Sequence, residues 1–355
     1  MIVRAATRSA ILLALAWTMP PLAAQAGGQE MAWQAGQDLI GKPAPPLVLK
    51  TIDGASIDLG RVYGKQAVYL KFWATWCVPC REQMPHFERA YESAGPDLAV
   101  IAIDTGFNDS LDEVLQYRER LHIKMPIVLD DGAAGAAFNL RVTPQHVVIG
   151  RDGRIQYVGH LADARLDAAL LAARTGRADA TSVAGASAAG AASTQGYPPV
   201  RVRYRPGDTL PKWTPTTIDG MRVPLADPDL RRPTLLIFLS PWCESYLATT
   251  RPALSQNCRL MRERVDALSA ETSVRWLGIA SGLWATETDL ADYRKEHGVR
   301  MPLVLDASGR LFRAFEVMQV PTVLLIGPDG RLERRIDPKD FETAAALHAA
   351  VDTKP

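Results

Sequence analysis

The segment Phe72-Trp-Ala-Thr-Trp-Cys77-Val-Pro-Cys80 sets two cysteines three positions apart, directly after an apolar run and at the start of a stretch with helical patterning. A thiol at a helix start meets unpaired amide N–H groups and the positive end of the helix dipole. The Cys77 thiolate is therefore favoured, and its pKa is expected below the free value of ~8.5. Cys77, on the solvent side, can attack a disulfide; Cys80, one helical turn further in, can resolve the mixed disulfide that results. Pro79 stiffens the intervening pair. Such exchange calls for no organic cofactor and no metal, because the redox-active disulfide Cys77–Cys80 carries the electrons. Two other uses of the pair are weaker. Half of a zinc site would need two more ligands, which His86 alone does not supply, and a permanent staple across so short a loop gains little chain entropy.

A related motif follows later, Ser240-Pro-Trp-Cys243-Glu-Ser-Tyr246, in which the nucleophile position persists and Tyr246 stands where a resolving cysteine would be. Cys258 lies fifteen residues beyond Cys243. A continuous helix would separate the two by ~22 Å, well past the ~7 Å limit for a bridge. Pairing them requires Pro252 or an inserted segment to fold the chain back; a buried inert Cys258 and an intermolecular role are the alternatives.

The elements that must position these residues are written twice. Gly41 to Gly54 matches Gly207 to Gly220, and Trp76-Cys77 matches Trp242-Cys243, at a constant offset of 166. Met125 to Asp130 matches Met301 to Asp306 at an offset of 176, so about ten residues are inserted after Cys243. Pro144 matches Pro321, and Ile149 to Gly153 matches Ile326 to Gly330, at 177. This is a duplicated domain. In the first copy, Leu47 to Leu59 around Asp53-Gly54 predicts a hairpin, and Ala67 to Trp73 and Leu98 to Asp104 predict buried strands. Helices are expected over 80–93, 111–121 and 163–173, a short strand over 127–129, and a closing hairpin over 146–149 and 155–158. The second copy predicts strands over 235–239, 274–279, 303–305, 322–326 and 332–336. Strands alternating with helices and then a terminal hairpin indicate α/β layers, each with a central mixed sheet flanked by helices and an N-terminal hairpin extension.

Residues 38–174 and 200–352 are the two expected domains, joined by an Ala/Gly/Ser-rich linker over 175–199 with an expected span of roughly 25 to 30 Å. Arg4 and Arg8, the apolar run Ala10 to Trp17 and the small-residue pattern Ala24-Gln25-Ala26 predict an export signal over 1–26, too short in its apolar part to span a membrane. No cysteine adjoins that cleavage point, which argues against a lipid anchor. Lys+Arg is 40 against Asp+Glu 39, so no long-range field favours a nucleic acid. The mature chain is expected to be exported or periplasmic, with no stable membrane insertion.

Trp-Ala-Thr-Trp-Cys-Val-Pro-Cys-Arg-Glu, with Pro85 five residues after Cys80 and Thr143-Pro144 downstream, resembles the TlpA/ResA group of exported thioredoxin-fold thiol:disulfide oxidoreductases. The likeness covers about residues 38 to 173. It implies tandem thioredoxin-like folds, the second degenerate, with Pro144 a cis-proline facing the cysteines and Thr143 offering backbone hydrogen bonds to a substrate strand; Trp76 joins them in contacting substrate. It also implies a reductase that takes electrons from a membrane thiol carrier and passes them to exported protein disulfides, as in cytochrome c or copper-site assembly. The chain departs from the group in two places. Lys71 stands where thioredoxins bury an acid, and Gln83, next to Glu82, stands where the group often has Glu. Arg81 and Lys71 favour a thiolate while Glu82 opposes it, so the proton-transfer residue stays open. Lys71 with Tyr69, Phe72 and Trp73 also fits plain strand packing.

Two other function classes fit less well. A thiol peroxidase on Cys243 would lack, around Pro241-Trp242, the Thr and spaced Pro needed to cradle a peroxide. A copper carrier using Cys77 and Cys80 as soft ligands lacks a third ligand. For the second domain, with Cys243, Tyr246 and Pro321 as accessory residues, the expectation is a docking module whose thiol chemistry is dispensable. The competing expectation is a relay in which Cys77 reduces an adduct on Cys243.

Overall fold

The computed structural model describes residues 22–176 and 203–352, apart from 228, 230, 271–272 and 337–342. Most of the expected export signal and all but the first two residues of the expected linker lie outside the described residues. Helix α1 (Leu22–Gln37) leads into a hairpin of β1 (Val48–Lys50) and β2 (Ser56–Asp58), then a short α2 (Leu59–Val62). The domain continues through β3 (Ala67–Trp73), α3 (Val78–Glu82), α4 (Met84–Glu92), β4 (Leu98–Asp104), α5 (Leu111–Leu121), β5 (Ile127–Leu129) and α6 (Ala133–Ala137). It closes with β6 (Gln145–Ile149), β7 (Ile155–Gly159) and α7 (Ala164–Thr175). The second domain runs β8 (Thr234–Leu239), α8 (Cys243–Thr250), α9 (Pro252–Leu268), β9 (Arg275–Ser281), α10 (Glu287–His297), β10 (Leu303–Asp306), α11 (Arg310–Ala314), β11 (Thr322–Ile326), β12 (Leu332–Ile336) and α12 (Ala344–Asp352).

Each domain is built on one five-stranded mixed sheet, ordered β5-β4-β3-β6-β7 in the first and β10-β9-β8-β11-β12 in the second. The central strand pairs in parallel with one neighbour and antiparallel with the other in both. Because β3 and β8 are buried along their whole length, they are apolar on both faces. Val68, Leu70 and Phe72 enter one core beside Leu59 and Phe138, while Tyr69 and Trp73 enter the other beside Phe87 and Leu166. This alternation puts Lys71 on the same face as Tyr69 and Trp73, under the cysteine-bearing helix.

Two sequence expectations are corrected. The helix expected over 80–93 is split at Gln83 (φ −91°, ψ 0°) into α3 and α4, because Pro85 has no N–H and its ring crowds the carbonyl of Arg81. Helix α1 packs on the first domain, and its glycines let it lie close on the sheet. A Cβ on Gly28 would meet the His160 ring at 2.6 Å, and one on Gly36 would meet Val158 at 2.8 Å. The N-terminal hairpin is formed in the first domain; in the second, the matching Asp219-Gly220 turn closes on the single bridge Thr216–Arg222. Both domains start the matching helix with the same capping box, Ser110 with Glu113 and Thr286 with Asp289.

The domains meet face to face, related by a pseudo-twofold. The Asn108 N–H donates to the Met318 carbonyl and the Trp284 N–H donates to the Arg141 carbonyl, both at 2.8 Å. Asn108 and Trp284 are equivalent in the two copies, as are Arg141 and Met318, so one contact is made twice with exchanged roles. Both donors have positive φ, 58° and 55°. A cavity of about 100 Å³ lies between the copies, lined by Phe107 and Asp130 from one and by Leu283 and Phe312 from the other.

Candidate active site at the Cys77–Cys80 disulfide

Cys77 and Cys80 form a disulfide, with Cα atoms 5.2 Å apart, at the junction of β3 and α3. Cys77 is the residue before the first helical position, and its sulfur accepts the Cys80 N–H at 3.2 Å. The strand aims the motif and the helix start caps it, which is the arrangement the spacing predicts. Thr143-Pro144 is a cis peptide, as expected from the resemblance, and Val320-Pro321 is cis at the matching place in the second copy.

The Lys71 ammonium donates to the Cys80 carbonyl at 3.2 Å and lies 5.3 Å from the centre of the Phe87 ring. It is fully buried, and desolvation pulls its pKa from 10.5 to about 7. Among the described residues, no carboxylate pairs with Lys71. Gln83 is drawn inward, its carbonyl accepting from His146 Nε2 at 2.9 Å, while His146 Nδ1 pairs with the Tyr69 hydroxyl at 2.8 Å. Burial, reinforced by the Lys71 charge, holds the His146 pKa well below its ordinary value, so the ring is neutral. Glu82 stays exposed at the end of α3, and no contact ties it to the sulfurs. Sequence reasoning missed His146. The signal available was its place two residues after Pro144, where the second copy has Val323.

The face that would receive a substrate is covered by the second domain. Trp76 stacks on Trp242 with centroids 5.0 Å apart and planes at 30°; each indole N–H donates at 2.7 Å to its own domain's loop, at Phe107 and Leu283. The Val78 N–H donates to the Tyr246 hydroxyl at 3.0 Å. The Thr143 hydroxyl accepts from the Trp284 indole at 3.0 Å, and Trp284 packs edge-on against His160. Trp276, by contrast, is core of the second domain. Cys77 is consequently 1% exposed and Cys80 0%.

An ion-pair cluster clamps the rim. Arg251 reaches from the second domain to the buried Asp109 carboxylate at 2.7 Å, to Glu113, and to the Thr75 hydroxyl at 2.5 Å. Asp109 also accepts from the Thr75 N–H at 2.8 Å and its hydroxyl at 2.5 Å. Burial nevertheless raises the Asp109 pKa, and that of the neighbouring Asp104 further, through burial and the Asp109 charge.

The other two cysteines are also paired. Cys243 and Cys258 form a disulfide with Cα atoms 6.2 Å apart. The single residue Arg251, at φ −142° and ψ 64°, interrupts the helix, and α9 doubles back against α8. The fold-back through Pro252 is the condition the sequence set for a bridge, so the reading of Cys258 as unpaired is corrected. No described helix is long and apolar enough to cross a membrane.

Residues 40–158 match the AhpC/TSA family. The thioredoxin-like protein YneN of Bacillus subtilis (strain 168) is 34% identical over 117 residues, 33% of this chain and 68% of that protein. The thiol-disulfide oxidoreductase ResA of Bacillus thuringiensis (strain Al Hakam) is 30% identical over 132 residues, 36% of this chain and 75% of that protein. A solved thiol:disulfide interchange protein of the thioredoxin family from Chlorobium tepidum TLS is 27% identical, with a TM-score of 0.32, covering 38% of this chain and 96% of that one.

Proposed function

Because the chain belongs to the thioredoxin-like AhpC/TSA family and is a thiol-disulfide oxidoreductase, we propose that its first domain is a reductase of disulfides in exported proteins. The observation that carries this reading is the Cys77–Cys80 disulfide, set at a helix start above the buried Lys71 amine, in a domain whose Thr143-Pro144 bond is cis. In the proposed cycle, the Cys77 thiolate attacks a substrate disulfide and displaces one substrate thiolate. Cys80 then attacks Cys77, releasing the second substrate thiol and leaving Cys77–Cys80 oxidised. Neutral Lys71 accepts the Cys80 proton, a role open to it because its pKa is close to neutrality. Trp76, Thr143 and Pro144 receive the substrate strand. A membrane thiol carrier restores the dithiol, and export to the periplasm follows from the amino-terminal pattern. Cytochrome c or copper-site assembly proteins are the substrate class that the TlpA/ResA resemblance favours.

The second domain must separate from the first for a protein disulfide to reach Cys77, which supports a role in controlling access. Turnover of a disulfide-bonded protein by the full chain tests the reading. Cys77→Ser should abolish turnover, and Cys80→Ser should trap mixed disulfides; wild-type turnover by both single variants would overturn it.

A further inference from the structure

The second domain rebuilds the setting of the first disulfide from different residues. Cys243 follows a buried strand and Trp242, opens a helix, and is 1% exposed, the same as Cys77. Since Tyr246 stands in the resolving position, the partner sulfur comes from α9. That helix is held on α8 by Ser255 donating to the Glu244 carbonyl at 2.6 Å and by Arg262 paired with the Glu244 carboxylate at 2.8 and 3.0 Å.

A cavity of about 20 Å³ adjoins this disulfide, lined among others by Ser240, Glu244, Cys258, Arg262, Asp266 and Pro321. It has room for about one water. Ser240 Oγ and Asp266 Oδ1 are buried with no hydrogen-bond partner among the described residues. Buried polar groups left unsatisfied in a native structure call for an explanation, and a redox role or an ordered water is among those that supply one. Pro321, at the position of Pro144, lines the same cavity. The two helix starts also oppose each other, as the Trp76–Trp242 stack and the Tyr246 hydroxyl at the Val78 amide record.

We propose that Cys243–Cys258 is a second redox-active disulfide whose electron donor is the Cys77–Cys80 dithiol of the same chain, a step that rests on the exchange chemistry proposed above for the first pair. The Cys77 thiolate attacks Cys243 Sγ, the Cys243–Cys258 bond breaks, and Cys258 leaves as a thiolate and is protonated. Arg262, one helical turn from Cys258, lines the same cavity in its ion pair with Glu244. Cys80, deprotonated, then attacks Cys77 Sγ; the Cys77–Cys80 bond forms and Cys243 leaves and takes up a proton. Two electrons and two protons pass from the first pair to the second, and no outside oxidant is consumed. Tethering both pairs in one chain raises their mutual concentration to the order of millimolar.

The test gives the oxidised full-length chain a limited amount of dithiothreitol, quenches it in acid at set times, alkylates it, and maps both cysteine pairs by mass spectrometry. In the wild type Cys77–Cys80 should be reduced first and Cys243–Cys258 after it. In Cys77→Ser/Cys80→Ser, reduction of the second pair should slow about tenfold or more. Cys80→Ser alone should accumulate a Cys77–Cys243 adduct with Cys258 alkylated, a readout that holds even if the double variant folds poorly. A second pair that stays oxidised after the first is fully reduced, equal rates in wild type and double variant, or no Cys77–Cys243 adduct would each overturn the relay. If Cys77–Cys80 itself resists reduction in the native chain, the reading of the first site fails, and the separate mapping of the two pairs tells that result from failure of the relay alone.

Discussion

Replacing Lys71 by methionine should stabilise the protein at neutral pH while impairing its chemistry. The native state buries the ammonium completely and depresses its pKa from 10.5 to about 7. The native state thus penalises the cation. The penalty is absent above pH 10.5, grows as pH falls through the interval, and is complete below about 7. At about 1.4 kcal/mol per pH unit, the interval is worth at most about 5 kcal/mol. Lys71→Met removes that penalty, keeps the side-chain length, and gives up one hydrogen bond to the Cys80 carbonyl, worth about 1 kcal/mol. The expected gain is about 3 to 4 kcal/mol at pH 7, shrinking to about 1 kcal/mol near pH 9. Urea unfolding of both oxidised proteins between pH 6 and 9 measures the difference. In parallel, mixed disulfides formed by the reduced variant should resolve more slowly, and the rate should lose its inflection near pH 7. A stability difference that does not change with pH, or a methionine variant less stable than wild type at pH 7, would refute the argument.

Arg251→Ala leaves the buried Asp109 carboxylate without its cation and should weaken the face between the domains by about 1 to 3 kcal/mol; dithiothreitol should then reduce Cys77–Cys80 roughly 5- to 150-fold faster, as followed by tryptophan fluorescence. Trp284→Phe keeps the ring and removes the donor to Thr143, so a smaller acceleration is expected in the same assay, of about 2- to 10-fold. Thr143→Val should shift substrate trapping and the reduction potential of the first disulfide while changing the melting temperature little; an equal loss of stability and activity would assign Thr143 a packing role.

Local patterns in the sequence carried much of this architecture. The apolar runs placed β3, β4, β5 and β11 with their observed ends, and the offsets of 166, 176 and 177 announced the duplication before any contact was known. The motif from Phe72 to Cys80 likewise placed the first disulfide at a strand-to-helix junction. What escaped was non-local or carried by a single residue. Arg251 and Asp109 are 142 positions apart, and neither has a pattern that points to the other. The Cys243–Cys258 bridge hung on one residue whose backbone ends a helix and lets the next begin, whereas periodicity would run the helix straight through. Lys71 was legible as a departure from the group's pattern, yet its depressed pKa comes from its complete burial, which no local pattern records. Gln83 was noted for its place near the cysteines, but its partner His146 is 63 residues away on another strand.

The paired contacts Asn108–Met318 and Trp284–Arg141 are those of a homodimer written into one polypeptide. A true dimer closed in this way would dissociate on dilution and expose its reactive thiols wherever the protein was scarce. Fused halves close to the same extent at any concentration, so access to the cysteines cannot depend on how much protein is present. Fusion also frees each half of a twofold contact to mutate without changing its counterpart. One copy could keep Cys80 while the other acquired Tyr246, and asymmetric chemistry could arise beneath a contact surface that stayed symmetric.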